Sequence, residues 1–365
     1  MDAEANSVIH AFAASRTHED HLDLIALLEY LHHRRRGPAI VDTLDVSSEA
    51  VYRRLGELRD LEFVADLDGE RFEATRAGTK AANSYQRAAT QLGDATIAYL
   101  VGSESRPQLL TRLADAPARK ATLAADESLP SRTTIQRVIA QFDEYGWIQR
   151  TDEGAFQLTQ PAIAAYEEYE RLHTAMTQAV EKAPCLRLLA EWANPPLDVL
   201  TETELVVKRD DDPHAMLDAA VEAADIRDRT LSHVRSVTPL FDPLMFDIFG
   251  EFVDLGTQFE VIFDQQAYSE LTKPANLHYF AGALVAPNVQ VRIHPDTLKT
   301  GLGIYDRTVL LGGSTVHDQE AGVTGSSEQF REWADTTFET VWNESVRPSQ
   351  RLQSWLGTTL STASD

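Results

Sequence analysis

Apolar positions along residues 37–75 recur in the same order along residues 119–159, at a constant offset of 84 residues and without a gap. Ser47 aligns with Ser131, Val51 with Ile135, Arg53 with Arg137, Leu58 with Phe142 and Phe63 with Trp147. Within each copy the apolar residues first fall three and four apart, as on one helix face, and then give way to a strand pair. The first copy predicts an amphipathic helix over 20–36, with Leu22, Ile25, Leu28, Tyr30 and Leu31 on its apolar side and Gly37-Pro38 as its stop. A short helix to residue 44 follows, then a helix opened by Ser47, a residue type that caps helix N-termini. That helix should bury Val51, Leu55 and Leu58 and expose Ser48, Tyr52 and Arg53. Residues 63–66 and 71–74 flank Leu67-Asp68-Gly69-Glu70, a hairpin signal, and a polar helix over 77–89 closes the copy. The second copy predicts helices over 92–101, 107–114, 120–126 and 131–145, and a strand pair at 147–150 and 155–158. One long helix over 161–182 then reads as an element that packs two subunits together.

The pattern changes after Asn194-Pro195-Pro196, which reads as a linker. Short β-branched runs at 204–207, 234–237, 259–263 and 289–293 alternate with helical stretches. A hairpin-like pair at 301–305 and 308–312, turned by Asp306-Arg307, precedes a last helix over about 327–346. Strands alternating with helices argue for a layered α/β domain. The predicted fold class is therefore α+β: two tandem winged helix-turn-helix domains at 1–90 and 91–183, then a layered, sensor-like α/β domain at 184–350 that senses an effector or mediates dimerisation. Residues 351–365 read as a frayed tail.

Composition fits a globular protein, with 43% hydrophobic residues. No stretch has the roughly 20 apolar residues of a membrane span, and the N-terminus shows no signal pattern, so a cytoplasmic protein is expected. One cysteine, Cys185, excludes an internal disulfide and reads as a small core residue. A net charge of −24 would ordinarily argue against nucleic acid. Only six of the 33 basic residues are Lys, however, and an acidic, lysine-poor surface suits a salt-accumulating cytoplasm, where charge is heavily screened. The repeat-bearing residues 1–175 carry a net −9 and the remainder a net −15. Arg34-Arg35-Arg36 reads either as a solvated helix end or as a phosphate contact.

Both copies read as winged helix-turn-helix modules, which place one helix in the DNA major groove. Arg can grip guanine with two hydrogen bonds and Gln can do so with adenine. In the second copy Ser131, Arg132, Thr133, Gln136 and Arg137 supply such a face, and in the first Ser48, Tyr52, Arg53 and Arg54 do, beside a phosphate-repelling Glu49. The hairpin tips, Asp68-Gly69-Glu70 and Asp152-Glu153-Gly154, are acidic. His233, Arg235, His294, Tyr305 and Arg307 sit at strand ends, where ligands of α/β folds collect, and are the candidate effector-binding residues. His18, His21, His32 and His33 lack metal-site spacing and read as solvated, so no metal or other cofactor is expected.

Residues 129–137 (Leu-Pro-Ser-Arg-Thr-Thr-Ile-Gln-Arg) with Gly146-Trp147-Ile148, together with residues 291–296, residues 301–313 and the helix around Phe330-Arg331-Glu332-Trp333-Ala334, carry a family resemblance. The chain resembles haloarchaeal winged helix-turn-helix transcriptional regulators whose C-terminal domain is like that of the archaeal filamentation and methanogenesis regulator. The resemblance implies a transcription regulator and a homodimer, and leaves the ligand of the C-terminal domain undefined; double-stranded DNA and a small-molecule effector are the expected partners. The alternative is a transcription-machinery adaptor whose winged helices dock on protein. The C-terminal domain also resembles phospholipase-D-like folds, whose catalysis needs a His-x-Lys motif; His294-Pro295-Asp296 has Asp in place of the Lys, so no enzyme is expected. Gly301-x-Gly303 is weak as a phosphate loop and reads as close strand packing.

Overall fold

The computed structural model describes residues 3–17, 22–44, 46–224, 231–314 and 320–349; His18, His21 and the tail at 351–365 lie outside the described residues. The chain divides into two compact units, Met1–Ala183 and Pro184–Asp365.

The first unit opens with α1 (Ala3–Thr17) and α2 (Leu24–Tyr30). A two-residue strand β1 (Arg35–Arg36) leads to α3 (Gly37–Leu44), α4 (Ser48–Asp60), the hairpin β2 (Val64–Asp66) and β3 (Arg71–Ala74), and the long α5 (Arg76–Leu92). The order then recurs as α6 (Asp94–Val101), α7 (Ser105–Asp115), α8 (Lys120–Ala125), α9 (Arg132–Glu144), β4 (Ile148–Arg150), β5 (Phe156–Leu158) and α10 (Gln160–Glu181).

The 84-residue offset holds down to single hydrogen bonds. Ser47 Oγ accepts from the Ala50 N–H and Ser131 Oγ from the Thr134 N–H, so both helices carry the same N-cap. Phe63 N donates to Leu58 O as Trp147 N donates to Phe142 O, and Thr75 N donates to Phe63 O as Thr159 N does to Trp147 O. Thr75 Oγ1 donates to Glu62 O, and Thr159 Oγ1 to Gly146 O. Glu62 (φ 57°) and Gly146 (φ 66°) are the left-handed residues that end α4 and α9. As expected, α4 buries Val51, Leu55 and Leu58 and exposes Ser48, Tyr52 and Arg53.

One expected helix is cut short. α2 ends at Tyr30 rather than running to residue 36, because Arg35 and Arg36 pair with Phe72 and Arg71 as a third strand. The second copy makes a similar bridge between Ala118 and Phe156, one residue short of the position that the offset gives for Arg35. The arginine run is thus a sheet edge and not a helix end: Arg34 pairs with Glu73 at 3.1 Å and Arg35 lies over the Tyr30 ring.

The two copies pack reciprocally. α5 lies on α10, α1 on α6, α1 on α10 and α5 on α6. Tyr85 of α5 donates to Asp94 Oδ1 at the start of α6 (2.9 Å), and Tyr169, 84 residues on in α10, donates to Asn6 Oδ1 of α1 (3.0 Å). Each long helix therefore bonds to the leading helix of the other copy, the exchange of contacts that defines a two-fold-like pair. The apolar face of α10, expected to meet a second subunit, is covered by α5 and α1 of its own chain.

The second unit contains α11 (Ala183–Leu186), of which residue 183 belongs to the first, then a 3₁₀ turn at Asp198–Leu200, β6 (Glu204–Val207), α12 (Ala215–Ala223), β7 (His233–Thr238), α13 (Pro243–Asp254) and β8 (Gln258–Phe263). α14 (Gln265–Leu271), α15 (Leu277–Val285), β9 (Val289–Ile293), β10 (Thr300–Tyr305), β11 (Thr308–Ser314), β12 (Glu320–Gly325) and α16 (Glu328–Glu344) follow. The seven strands form one mixed sheet in the order β6-β12-β11-β10-β7-β8-β9. β7, β8 and β9 run parallel, joined through α13 and then α14–α15, and the other neighbours are antiparallel. β12 has no counterpart among the sequence expectations. Its Glu320-Ala321-Gly322-Val323-Thr324-Gly325 is too glycine-rich to read as a strand, and Gly322 is required because a Cβ there would meet the Leu311 carbonyl and the Met216 side chain.

Asn194-Pro195-Pro196 is not a flexible linker. Ala193, Pro195, Leu197 and Leu200 are buried, Trp192 Nε1 donates to Leu298 O and Ala190 N to Thr300 Oγ1, so the segment is packed into the second unit.

Candidate functional site

Two surfaces hold the residues that the sequence singled out. The first comprises the exposed faces of α4 and α9. α9 is fixed by Ile135, Val138, Ile139 and Phe142, all buried, which leaves Arg132, Thr133, Gln136 and Arg137 on its exposed side. Among the described residues no carboxylate pairs with Arg132 or Arg137. Two unengaged guanidinium forks flanking an amide can grip a base edge or a phosphate with paired hydrogen bonds. The C-terminal half of α9 is bolted down by aromatics: Tyr99 of α6 donates to Gln141 Oε1 at 3.0 Å, and its ring packs edge-on against Tyr145 and Trp147. Burial raises the Tyr99 phenol above its usual range, so it stays a donor. Tyr99 and Gln141 escaped the sequence reading; the aromatic pair Tyr145 and Trp147 at the helix end was the available signal.

The face of α4 is more engaged. Arg54 pairs with Glu57 at 2.5 Å, and the Tyr52 ring stands edge-on to Phe72 with its hydroxyl in the space that a Cβ at Gly37 would occupy. Ser48 and Arg53 remain exposed beside Glu49.

The second surface is in the second unit, and its five candidates do not converge. On β7, His233 Nε2 lies 3.2 Å from Glu260, and Arg235 bridges Glu260 (2.9 Å), Asp335 (3.3 Å) and Glu339 (3.2 Å), with its guanidinium over Phe338. These contacts clamp α16 to the sheet. His294 is buried, accepts from the Asp296 N–H and approaches Glu344 at 3.7 Å, while Arg307 is exposed in the β10–β11 turn. Tyr305 points to the opposite face, where it stacks on Phe249. The even register of a strand separates them: His233 and Arg235 share one face, and Val234, beside Tyr305, lies on the other. Gly303 serves that packing, since a Cβ there would strike the Tyr305 ring.

On the Tyr305 face a cavity of about 620 Å³ lies between the parallel strands, α13 and α15. Its walls include Met245, Phe246, Phe249, Phe263, Tyr279 and Tyr305, with Ser236, Thr238, His278 and three aspartates as polar members. Burial pushes the Tyr305 phenol up to about 12. Desolvation and the hydrogen bond to Asp247 also hold the Tyr279 phenol high. Of the five sequence candidates Tyr305 alone lines this cavity. Phe246 and Phe249, three apart on one helix face, are the sequence signal that marks the wall. Among the described residues no cluster of His, Cys, Asp and Glu is placed to hold a metal, and no helix is long and apolar enough to cross a membrane.

Comparison with known proteins bears on both units. Solved structures with some likeness include TrmBL2, an archaeal chromatin protein whose structure is described as showing a novel mode of DNA binding, at 11% identity and a TM-score of 0.31, covering 65% of this chain and 91% of that one. Two methyltransferases show weaker likeness. CalO1 of calicheamicin biosynthesis matches at 13% identity and a TM-score of 0.22, with 79% of this chain and 61% of that one covered. RosA of Streptomyces davawensis matches at 9% and 0.24, with 80% and 63% covered. Scores this low carry no argument about fold or activity. No curated protein matches the chain. Family models do match: residues 94–181 match the HVO_A0261 N-terminal domain, and residues 213–344 match the middle domain of the methanogenesis regulatory protein FilR1. The first match covers the second repeat, and the first repeat lies outside both. The resemblance to haloarchaeal regulators with a C-terminal domain like that of the filamentation and methanogenesis regulator therefore holds over both segments, and the chain carries a regulator-type domain.

Proposed function

We propose that the chain is a sequence-specific DNA-binding transcription regulator, in which residues 1–90 and 91–183 are tandem winged helix-turn-helix domains and residues 184–350 sense an effector. The observation that carries this reading is the exposed, unpaired face of α9 on a tightly packed scaffold. In the major groove Arg132 and Arg137 would read guanines, Gln136 would read adenine, and Ser131 and Thr133 would approach phosphates near the α9 N-terminus. Base contacts of this type discriminate by about 1–3 kcal/mol each. The acidic hairpin tips, around Gly69 and Gly154, are poor candidates for the minor groove.

The reciprocal packing of the two copies extends the reading: one chain presents both α4 and α9, so two unequal half-sites are read by a single chain. A homodimer would then pair two such readers through surfaces other than α10. Effector binding would act by shifting how the reading helices meet their half-sites. Selection from a randomised duplex pool in molar KCl tests this, because non-specific phosphate binding is suppressed there. Enrichment of a motif supports the reading; a folded protein that enriches none overturns it in favour of a protein-docking adaptor.

A further inference from the structure

The cavity in the second unit is a built space with a definite chemical bias. Two glycines stand in the interiors of the helices that wall it, Gly250 in α13 and Gly282 in α15, and a Cβ at either would meet nothing within 4 Å. Glycine inside a helix costs about 1 kcal/mol relative to alanine, so both helices give up stability where a side chain would enter the cavity. The volume lies in the range that holds a drug-sized molecule. Among the lining residues there is neither Lys nor Arg, while Asp242, Asp247 and Asp254 stand at the rim and Phe246, Phe249, Tyr279 and Tyr305 offer ring faces. Leu240 and Val285, both well exposed, extend the apolar lip. Anionic ligands such as acyl carboxylates or nucleotides would meet three carboxylates, with the His278 imidazole as the one basic side chain in the lining. Ring faces and carboxylates both attract a cation.

We propose that this cavity binds an organic cation with an apolar body, such as a hydrophobic amine or a quaternary onium ion, seated on the Phe246, Phe249, Tyr279 and Tyr305 rings with its charge toward the aspartates. Any effect on transcription rests on the DNA-binding reading above; the binding itself does not.

Calorimetric titration of the full chain with tetraphenylphosphonium and with its isosteric anion tetraphenylborate, in molar sodium chloride, tests the proposal. At that salt the screening length is about 3 Å, so the acidic surface as a whole does not select between the ions. The phosphonium should bind at least about ten-fold more tightly than the borate. Gly282→Leu and Gly250→Leu should abolish that binding with an unchanged or higher melting temperature. The Asp242→Asn, Asp247→Asn, Asp254→Asn combination should retain binding but lose the preference for the cation. Equal or tighter binding of the borate, or phosphonium binding undiminished in both leucine variants, overturns the proposal. A separate titration of DNA affinity with the phosphonium present keeps the two readings apart. Binding without any change in DNA affinity leaves the site standing and removes its regulatory role, and absence of DNA binding removes the regulator alone.

Discussion

The two repeats of the first unit share their backbone hydrogen bonds and differ in what α4 and α9 do with their polar residues. α4 spends Arg54 on Glu57 and wedges Tyr52 between Gly37 and Phe72, whereas α9 leaves Arg132 and Arg137 without ionic partners and braces its far end with Tyr99, Tyr145 and Trp147. The scaffold is common to the two copies and the exposed surfaces differ. Among the described residues α4 leaves Arg53 as its one exposed arginine without an ionic partner, beside Glu49, against two in α9, so the stronger base contacts are expected on the second copy.

The largest expected effect follows directly. Arg132→Ala with Arg137→Ala should weaken specific binding by about 2–6 kcal/mol in total if each grips a base, measured by fluorescence anisotropy on the selected duplex. Ser48→Ala with Arg53→Ala in α4 should cost less, and an equal loss would erase the distinction between the copies. Next comes a contrast inside the scaffold. A Cβ at Gly78 would fall on the Phe63 carbonyl oxygen, while the position 84 residues on is the fully buried Ala162. Gly78→Ala should therefore destabilise by about 1–3 kcal/mol through overpacking. Ala162→Gly should cost only about 1 kcal/mol, both read by chemical unfolding. The caps should behave alike: Ser47→Ala and Ser131→Ala each remove a side-chain acceptor and should cost about 1 kcal/mol. Unequal costs would show that the local scaffold is not shared.

The smallest effect lies in the second unit and serves as the control outside the repeats. Burial alone would raise the Asp306 carboxyl, but hydrogen bonds from Ser232 Oγ, Ser232 N and His233 N outweigh it and hold it below the usual carboxylate range. A depressed folded value stabilises at pH above the ordinary carboxylate range, and that contribution is lost as the pH falls through the folded value. Asp306→Asn, which tolerates the left-handed backbone there (φ 44°), should flatten the acid limb of the stability profile without touching DNA affinity.

Much of the first unit was legible because each element carried its own local signal. Ser47 and Ser131 caps, the three-and-four spacing of Val51, Leu55 and Leu58, and the Gly69 and Gly154 turns are all short-range. Pairing partners were not legible. That Arg35 and Arg36 form a strand depends on Phe72 and Arg71, more than thirty residues away, and that α10 packs on α5 depends on its own repeat. In the second unit the strands were readable from β-branched runs, but their faces were not combined correctly. Strand-end position grouped Arg235 with Tyr305, although neighbouring register sends them to opposite sides of the sheet. The cavity walls came from helices whose glycines, Gly250 and Gly282, look unremarkable until their Cβ positions prove empty.

We propose that this chain reads DNA sequence chiefly through α9. Genomic fragments recovered in molar KCl by the unaltered chain, by Arg132→Ala/Arg137→Ala and by Ser48→Ala/Arg53→Ala test it in one experiment. A shared motif should disappear with the α9 pair and survive, shortened or weakened at one end, with the α4 pair. Recovery of the same motif by the Arg132→Ala/Arg137→Ala chain, or of no motif by a folded unaltered chain, would contradict it.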